Sequence, residues 1–109
     1  MQTVIQVVCT RGVSVRDAIV KDPQLERFGL VVSKQHQPGR SHGWAKLRSL
    51  RRDRRGAINL EWYAATRILL CRVVNRGSGK PGLIGGDFLE YLLERRRSRI
   101  DSIIILPDR

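Results

Sequence analysis

Apolar residues fall in short runs along this chain, and the pattern within each run predicts strands. Residues 3–9 (TVIQVVC) are β-branched and almost continuously apolar, which is typical of a strand buried on both faces at the centre of a sheet. Residues 30–33 (LVVS) predict a second strand, and residues 102–106 (SIIIL) predict a last, buried strand. Gly29 precedes the second strand and Pro107 closes the last one, as expected where a chain turns.

A longer stretch, residues 57–76, predicts a hairpin of two further strands. An ordinary strand has about 3 to 10 residues, so this stretch is too long for one strand. Its first part alternates apolar and polar positions, and residues 68–74 (ILLCRVV) form a second, more buried run. We place the turn at residues 64–66 on the ground of length alone, because no Gly or Asn marks it.

Helical spacing predicts a helix that follows the first strand in the sequence, and a shorter helical segment that follows this helix. Val15 and Ile19 share one helix face, and Ser14 can cap the N-terminus of that helix. The pair Asp22 and Pro23 then favours a new helical start. Residues 24–28 form this short second piece.

The clearest helix of the chain is predicted at residues 88–99. Its apolar stripe consists of Phe88, Leu89, Leu92 and Leu93. Asp87 can cap its N-terminus. Arginines crowd the last turn, where the helix dipole favours cations: Arg95, Arg96, Arg97 and Arg99.

These elements predict an α+β fold in the order β-α-β-(basic segment)-β-β-α-β. A single-layer, mixed but mostly antiparallel sheet with two helices on one face would bury every apolar stripe. Without the basic segment this order approaches a ferredoxin-like plan. The 109 residues fit a single domain, residues 1–109.

The most charged stretch of the chain is residues 40–55, RSHGWAKLRSLRRDRR. As a helix, it would align Trp44, Leu47 and Leu50 on one stripe. As a hairpin, it would place residues 51–56 in a turn and gather six basic groups on one protruding finger, and we favour this second interpretation slightly. One acidic residue accompanies seven basic ones: Arg40, Lys46, Arg48, Arg51, Arg52, Arg54 and Arg55.

The charge of the chain points to a polyanionic partner. The net charge is +11, and 17 of the 21 basic residues are arginines, which bind phosphate in a bidentate manner and stack on bases. We therefore expect nucleic acid to bind the seven basic residues of the charged stretch and Lys80, with the arginines of residues 95–99 as secondary contacts. RNA and DNA present the same phosphates, so this pattern does not distinguish them.

Two alternative functions are compatible with the same residues. An arginine-rich surface can also dock an acidic protein partner. In addition, His36 and His42 flank Arg40 in the polar loop of residues 35–43. One imidazole could take the 2′-hydroxyl proton of RNA and the other could protonate the leaving oxygen, with Arg40 steadying the charge, as in a metal-independent endoribonuclease. Exposed loop histidines without a catalytic role are the interpretation that we favour.

No motif in the sequence implies a cofactor or a metal site. Residues 77–80 (GSGK) share part of a phosphate-binding loop, but Val74 replaces its first Gly and Pro81 its Ser or Thr. The spacing of the two histidines matches no zinc pattern. The sequence therefore favours a binding protein over an enzyme.

The two cysteines and the N-terminus suggest where the protein works. Cys9 and Cys71 each lie among apolar residues, and buried free thiols are typical of a reducing compartment, with a disulfide between neighbouring strands as the alternative. The N-terminus lacks the features of a signal peptide, and no apolar run approaches the roughly 20 residues of a membrane span. We expect a cytoplasmic protein. A homodimer is compatible with each proposed function, because a sheet edge would be available for pairing.

Overall fold

Six strands and two helices make up most of the chain in the computed structural model, which describes residues 2–75 and 82–107. In chain order the elements are β1 (Gln2–Cys9), α1 (Val15–Val20), a 3₁₀ helix (Pro23–Phe28), β2 (Leu30–Lys34), β3 (Trp44–Ser49), β4 (Gly56–Tyr63), β5 (Ile68–Asn75), α2 (Gly82–Arg95), a second 3₁₀ helix (Arg97–Arg99) and β6 (Ile100–Leu106). No helix within the described ranges has the length and apolar character needed to cross a membrane.

The strands form one sheet with the order β2-β3-β4-β5-β1-β6. All five pairings between neighbouring strands are antiparallel. The α+β class is confirmed, but the expected mixed sheet is wrong in its parallel part, because no parallel pair occurs among the described strands. The relation to a ferredoxin-like plan stays a prediction.

The two faces of the sheet differ sharply in burial. Successive side chains of a strand point to opposite faces, and cross-strand partners share a face. On one face, here called the helix face, the strands carry the core residues Ile5, Val7, Leu47, Ile58, Leu60, Leu69 and Cys71, which pack with α1 and α2. The other face, here called the open face, is not covered by a helix in the described part of the chain.

The charged stretch of residues 40–55 folds as a hairpin. Strands β3 and β4 pair from Trp44 opposite Glu61 to Arg48 opposite Ala57. The hairpin interpretation is therefore confirmed. Leu47 is fully buried on the helix face, so Lys46 and Arg48 on either side of it point to the open face.

Helix α2 begins six residues earlier than its sequence pattern indicates. It starts at Gly82, so Asp87 lies inside the helix, and the expected N-cap at Asp87 is wrong. Gly85 is buried, and a Cβ at this position would lie 3.9 Å from the side chain of Val73. This distance is an ordinary van der Waals contact, so the packing of α2 against β5 leaves room for a Cβ at this position.

A buried carboxylate joins the first 3₁₀ helix to the end of α2. The side chain of Asp22 is 1% exposed. It accepts hydrogen bonds from Tyr91 Oη at 2.9 Å, from Arg95 Nη2 at 3.0 Å and from Arg96 Nη2 at 2.7 Å. It also caps its own 3₁₀ helix by accepting from the backbone N–H of Gln24 at 2.9 Å. Burial alone would raise the pKa of Asp22, but these hydrogen bonds outweigh burial and hold the pKa well below its ordinary value.

The Asp22→Asn variant should lose about 1–3 kcal/mol of unfolding free energy at neutral pH, because two guanidinium groups lose their anionic partner. The pKa of Asp22 is lower in the folded protein than in the unfolded chain. Its contribution is therefore fully present above the unfolded value of about 3.9 and is lost as the pH falls below it. Urea titrations from neutral pH down to about pH 2 measure the free energy of unfolding of both proteins. The difference in this free energy between wild type and variant should narrow below about pH 4. A difference that stays constant over this range would contradict this role for Asp22.

Candidate nucleic-acid interface

The turn of the β3–β4 hairpin divides its arginines into two groups. Arg52 and Arg55 are exposed and make no hydrogen bond or ion pair within the described residues. Arg51 and Arg54 instead reach back towards α2, where Asp87 is 5% exposed. Only the first group is free to meet a ligand without giving up an internal contact.

The contact between the turn and α2 is an ion pair at the surface of the core. Arg54 Nη1 donates to Asp87 Oδ1, and Arg51 Nη1 lies 4.0 Å from the same oxygen. The hydrogen bond that Arg54 donates to Asp87 raises the pKa of Arg54. Asp87 Oδ2 and Arg54 Nε are buried and have no hydrogen-bond partner among the described residues. Arg54 therefore holds the turn against the helix, and Arg51 adds a longer ion pair while its side chain stays 43% exposed.

Most arginines of residues 95–99 are also engaged inside the molecule. Arg95 and Arg96 bind Asp22. Arg99 donates to Thr10 Oγ1 at 3.0 Å and to the carbonyl of Val13 at 2.9 Å. These three side chains connect chain segments, which leaves Arg97 as the outward-facing member of the expected secondary contacts.

A polar row crosses the open face of the sheet. Lys34 pairs with Lys46, Lys46 with Asn59, and Asn59 with Arg72. A β-bulge between Val32 and Lys34 shifts the register of β2, which brings Lys34 rather than Ser33 opposite Lys46. Neither lysine has a hydrogen bond or ion pair within the described ranges, and Arg48 lies two residues from Lys46 on the same face. We call Lys34, Lys46, Arg48, Arg52, Arg55 and Arg72 the basic surface.

The loop of residues 35–43 brings the two histidines near each other. His36, His42 and Arg40 line one shallow concavity of about 460 Å³, together with Gln37, Pro38 and Ser41. Both histidines are exposed. Arg40 lies over the ring of Trp44, with Cζ 5.2 Å from the ring centroid. Ser41 Oγ donates to Glu61 Oε1 at 3.2 Å, so an acidic residue borders this loop.

A buried arginine fixes where this loop begins and ends. Arg16 is 5% exposed. Its Nη2 donates to the carbonyl of Gln35 at 2.6 Å and to the carbonyl of Trp44 at 2.8 Å. Because both ends of the loop are tied to one guanidinium, the position of the histidine concavity depends on α1.

The aromatic residues near the basic stretch are mainly structural. Trp44 is 2% exposed, and Trp62 packs partly buried against the core. Neither presents a free ring for stacking on a base. Tyr63 is 44% exposed at the end of β4; partial burial and the neighbouring Glu61 carboxylate raise its pKa. Tyr63 is therefore the aromatic residue of this region that a base can reach.

The structure separates the expected contacts into several groups. Lys46, Arg48, Arg52 and Arg55 belong to the basic surface, Arg51 and Arg54 are anchored to Asp87, and Arg40 covers Trp44. Lys80 lies outside the described residues. Lys34 and Arg72 were missed by the sequence pattern. Arg72 interrupts an otherwise apolar run in β5, and a lone cation in a buried strand could have indicated that one face of the sheet is open to water.

Neither a metal centre nor a known relative suggests another function. No group of three or more His, Cys, Asp or Glu side chains that could hold a metal ion occurs in residues 2–75 and 82–107. Cys9 and Cys71 are buried free thiols, and burial raises the pKa of both thiols. Comparisons with protein-family models, with curated proteins and with solved structures find no significant match for this chain. The function of the basic surface is therefore inferred from its geometry and its charge.

The Asp87→Asn variant should loosen the hairpin turn and lower the unfolding free energy by about 1–3 kcal/mol, because Arg51 and Arg54 lose their anionic partner. Hydrogen exchange of the backbone amides at residues 50–55 should become faster. Glu94→Gln is the matched control, since it removes one exposed acidic charge from the same helix, and it should leave both measurements nearly unchanged. Equal effects of the two variants would show that Asp87 acts through general charge alone.

Proposed function

We propose that this protein binds nucleic acid by contacting the phosphate backbone with its basic surface. The observation that carries this proposal is that the arginines fall into two sets, one bound to internal acceptors and one without such acceptors among the described residues. Internal acceptors engage Arg16, Arg54, Arg95, Arg96 and Arg99. The cations of the basic surface have no such acceptor in the described part of the chain.

An internal role explains the first set of arginines without any ligand. It does not explain the second set, whose members repel one another. Lys34 and Lys46 are direct cross-strand partners, and like charges in this position destabilise a sheet. Phosphate groups of a bound nucleic acid would relieve this repulsion and release condensed counterions.

The form of the basic surface suits a backbone ligand. A concavity of about 660 Å³ is lined by five arginines: Arg48, Arg51, Arg52, Arg54 and Arg55. Lys46 continues this line along β3 on the open face. Cations spread along a hairpin and over a sheet can follow a chain of phosphates, and such contacts carry little sequence information. We therefore expect weak sequence preference. A cytoplasmic location also stays a prediction.

Binding of labelled RNA and DNA of equal length, measured across a salt series, tests this proposal. If all six cations of the basic surface meet phosphates, log Kd should change with log salt by a slope of about 4 for a single strand and about 5 for a duplex. The Arg52→Ala, Arg55→Ala double variant should lower the slope by about 1.5 to 2 and weaken binding. Its folding stability should stay within about 0.5 kcal/mol of wild type, because both side chains are exposed.

The matched control for this experiment is the Arg11→Ala, Lys21→Ala double variant. It removes the same charge from exposed positions outside the basic surface, so its slope should equal that of wild type. Equal losses in both double variants would mean that total charge, and not this surface, attracts the ligand. If neither RNA nor DNA binds at about 150 mM salt, where non-specific Kd values are typically 10⁻⁴ to 10⁻⁶ M, an acidic protein partner becomes the better proposal.

A second candidate function is metal-independent cleavage of RNA in the loop of residues 35–43. The observation that favours it is that His36, His42 and Arg40 line the same concavity. Its two imidazoles could serve as general base and general acid, and Arg40 could stabilise charge on the phosphorane-like transition state. Glu61, which holds Ser41, borders the loop from the sheet.

This candidate predicts cleavage of single-stranded RNA in the presence of a metal chelator, with cyclic phosphate ends. His36→Ala and His42→Ala should each lower the rate by about 10² or more while RNA affinity is retained. A DNA strand of the same sequence should stay intact, since it lacks the 2′-hydroxyl nucleophile. If wild-type protein leaves the RNA intact, or if both variants cleave at the wild-type rate, catalysis at this loop is excluded.

A further inference from the structure

Strand β6 forms one edge of the sheet, and this edge is unusually apolar. It has seven residues, Ile100–Leu106, and pairs on one side with β1. Its other side has no strand partner in the described part of the chain. Ile104, Ile105 and Leu106 are 45%, 49% and 52% exposed. A long apolar edge strand presents unpaired backbone N–H and C=O groups that favour pairing with another strand.

The opposite edge of the sheet is protected and serves as an internal comparison. Strand β2 has five residues, ends in the exposed Lys34 and contains a bulge. Short length, lysine and bulges are the features by which sheet edges avoid association. Strand β6 has none of these features from residue 102 to residue 106; its bulge with β1 lies at the Val8–Cys9 end of the ladder.

The apolar surface continues from β6 onto helix α2. Leu93, 44% exposed, lies with Ile100 and Ile103 along one groove, which Arg97 and Asp101 also line. Leu89 lies with Ile105 along a second groove. A partner strand that paired with β6 would therefore meet apolar side chains on the helix face as well as on the open face. Backbone pairing and apolar burial would occur together.

The charge distribution selects what can occupy this edge. The chain carries a net charge of +11, so two copies repel each other over most surfaces. Residues 100–106 contain no cation, and their one charged residue is Asp101. We propose that β6 pairs antiparallel with β6 of a second copy, which gives a two-fold symmetric dimer with one continuous twelve-stranded sheet.

The register of this pairing follows from the alternation of the strand. A two-fold axis perpendicular to the sheet relates antiparallel neighbours and keeps the helix faces of both copies on the same side. A register centred on Ile104 places Ile104 opposite Ile104 of the second copy and Ile103 opposite Ile105. Each of these cross-strand pairs is apolar, as such pairs must be to stabilise a sheet.

Sedimentation velocity of the full chain, at about 1 to 200 µM protein, measures this association directly. The interface is small, so we expect Kd in the micromolar range. Raising the salt from about 150 to 500 mM should strengthen the dimer, because screening weakens the repulsion between the two copies. Nucleic-acid binding should weaken over the same range, so the dimer and the proposed function can fail independently. A monomer at every protein and salt concentration would overturn the dimer proposal.

Two substitutions at Ile104 locate the interface. Ile104→Lys opposes two like charges at the two-fold axis and should raise Kd at least about tenfold. Leu50→Lys is the control, since Leu50 is 47% exposed and lies in the β3–β4 turn, and it should leave Kd nearly unchanged. A wild-type Kd for Ile104→Lys in a protein that remains folded by circular dichroism would exclude β6 as the interface.

Disulfide trapping with Ile104→Cys gives an independent readout. Cys9 and Cys71 are buried, so the introduced thiol is the one that an oxidant reaches. Mild oxidation should yield a covalent dimer with Ile104→Cys at low protein concentration, and Leu50→Cys should yield far less. Equal trapping of both variants would show random collision and would contradict pairing through β6.

Discussion

The fold depends on the burial of the Asp22 carboxylate among groups that come from the far end of the chain. Asp22 and Arg96 are 74 positions apart, yet their side chains lie 2.7 Å from each other. A carboxylate with 1% exposure is stable only where hydrogen bonds and positive charge replace water. Strand β2 begins two residues after the 3₁₀ helix that Asp22 caps, and β6 follows closely after Arg96. One anion thus links the chain segments that lead into the two edge strands of the sheet.

Much of the fold can be predicted from the sequence, because strands that are buried in a sheet have recognisable patterns of apolar residues. Residues 3–9 and 102–106 do form strands, and β1 lies between β5 and β6. The burial of residues 3–9 on both faces is wrong, because only one face of β1 is covered by helices in the described part of the chain. The burial of the last strand is also wrong, because Ile104, Ile105 and Leu106 are exposed. The charged stretch was harder to interpret, since its Trp and Leu residues satisfy helical and extended spacing alike. Pairing with β4 decides between the two, and this pairing is a long-range fact that no local pattern contains. The predicted N-cap at Asp87 is wrong for the same reason. Its sequence neighbours indicate a helix cap, but its partner Arg54 is 33 positions away.

The candidate site could be predicted as a region but not residue by residue. Neighbouring arginines in the β3–β4 turn look equivalent in the sequence, although Arg54 is anchored to a helix and Arg52 is not. The difference arises because the turn lies beside α2, whose buried Asp87 is within reach of Arg51 and Arg54 but forms no ion pair with Arg52. Lys34 and Arg72 join the site through cross-strand register, which depends on a bulge and on strand order. Charge can therefore be read from the sequence, but the assignment of each charge to a ligand or to the fold requires the structure.

The guanidinium of Arg96 meets two acceptors with different nitrogens, Tyr91 Oη through Nε and an oxygen of Asp22 through Nη2. A lysine has one nitrogen and could not reproduce this arrangement. At Arg52 or Arg55, whose exposed side chains make no hydrogen bond or ion pair in the described part of the chain, lysine would supply much the same charge. Exchange between arginine and lysine should therefore be rare at Arg96 and frequent at Arg52 and Arg55 as related chains diverge. The pattern of arginine-to-lysine substitution among related chains would then distinguish the arginines that stabilise the fold from those that are free for a ligand, before any binding is measured.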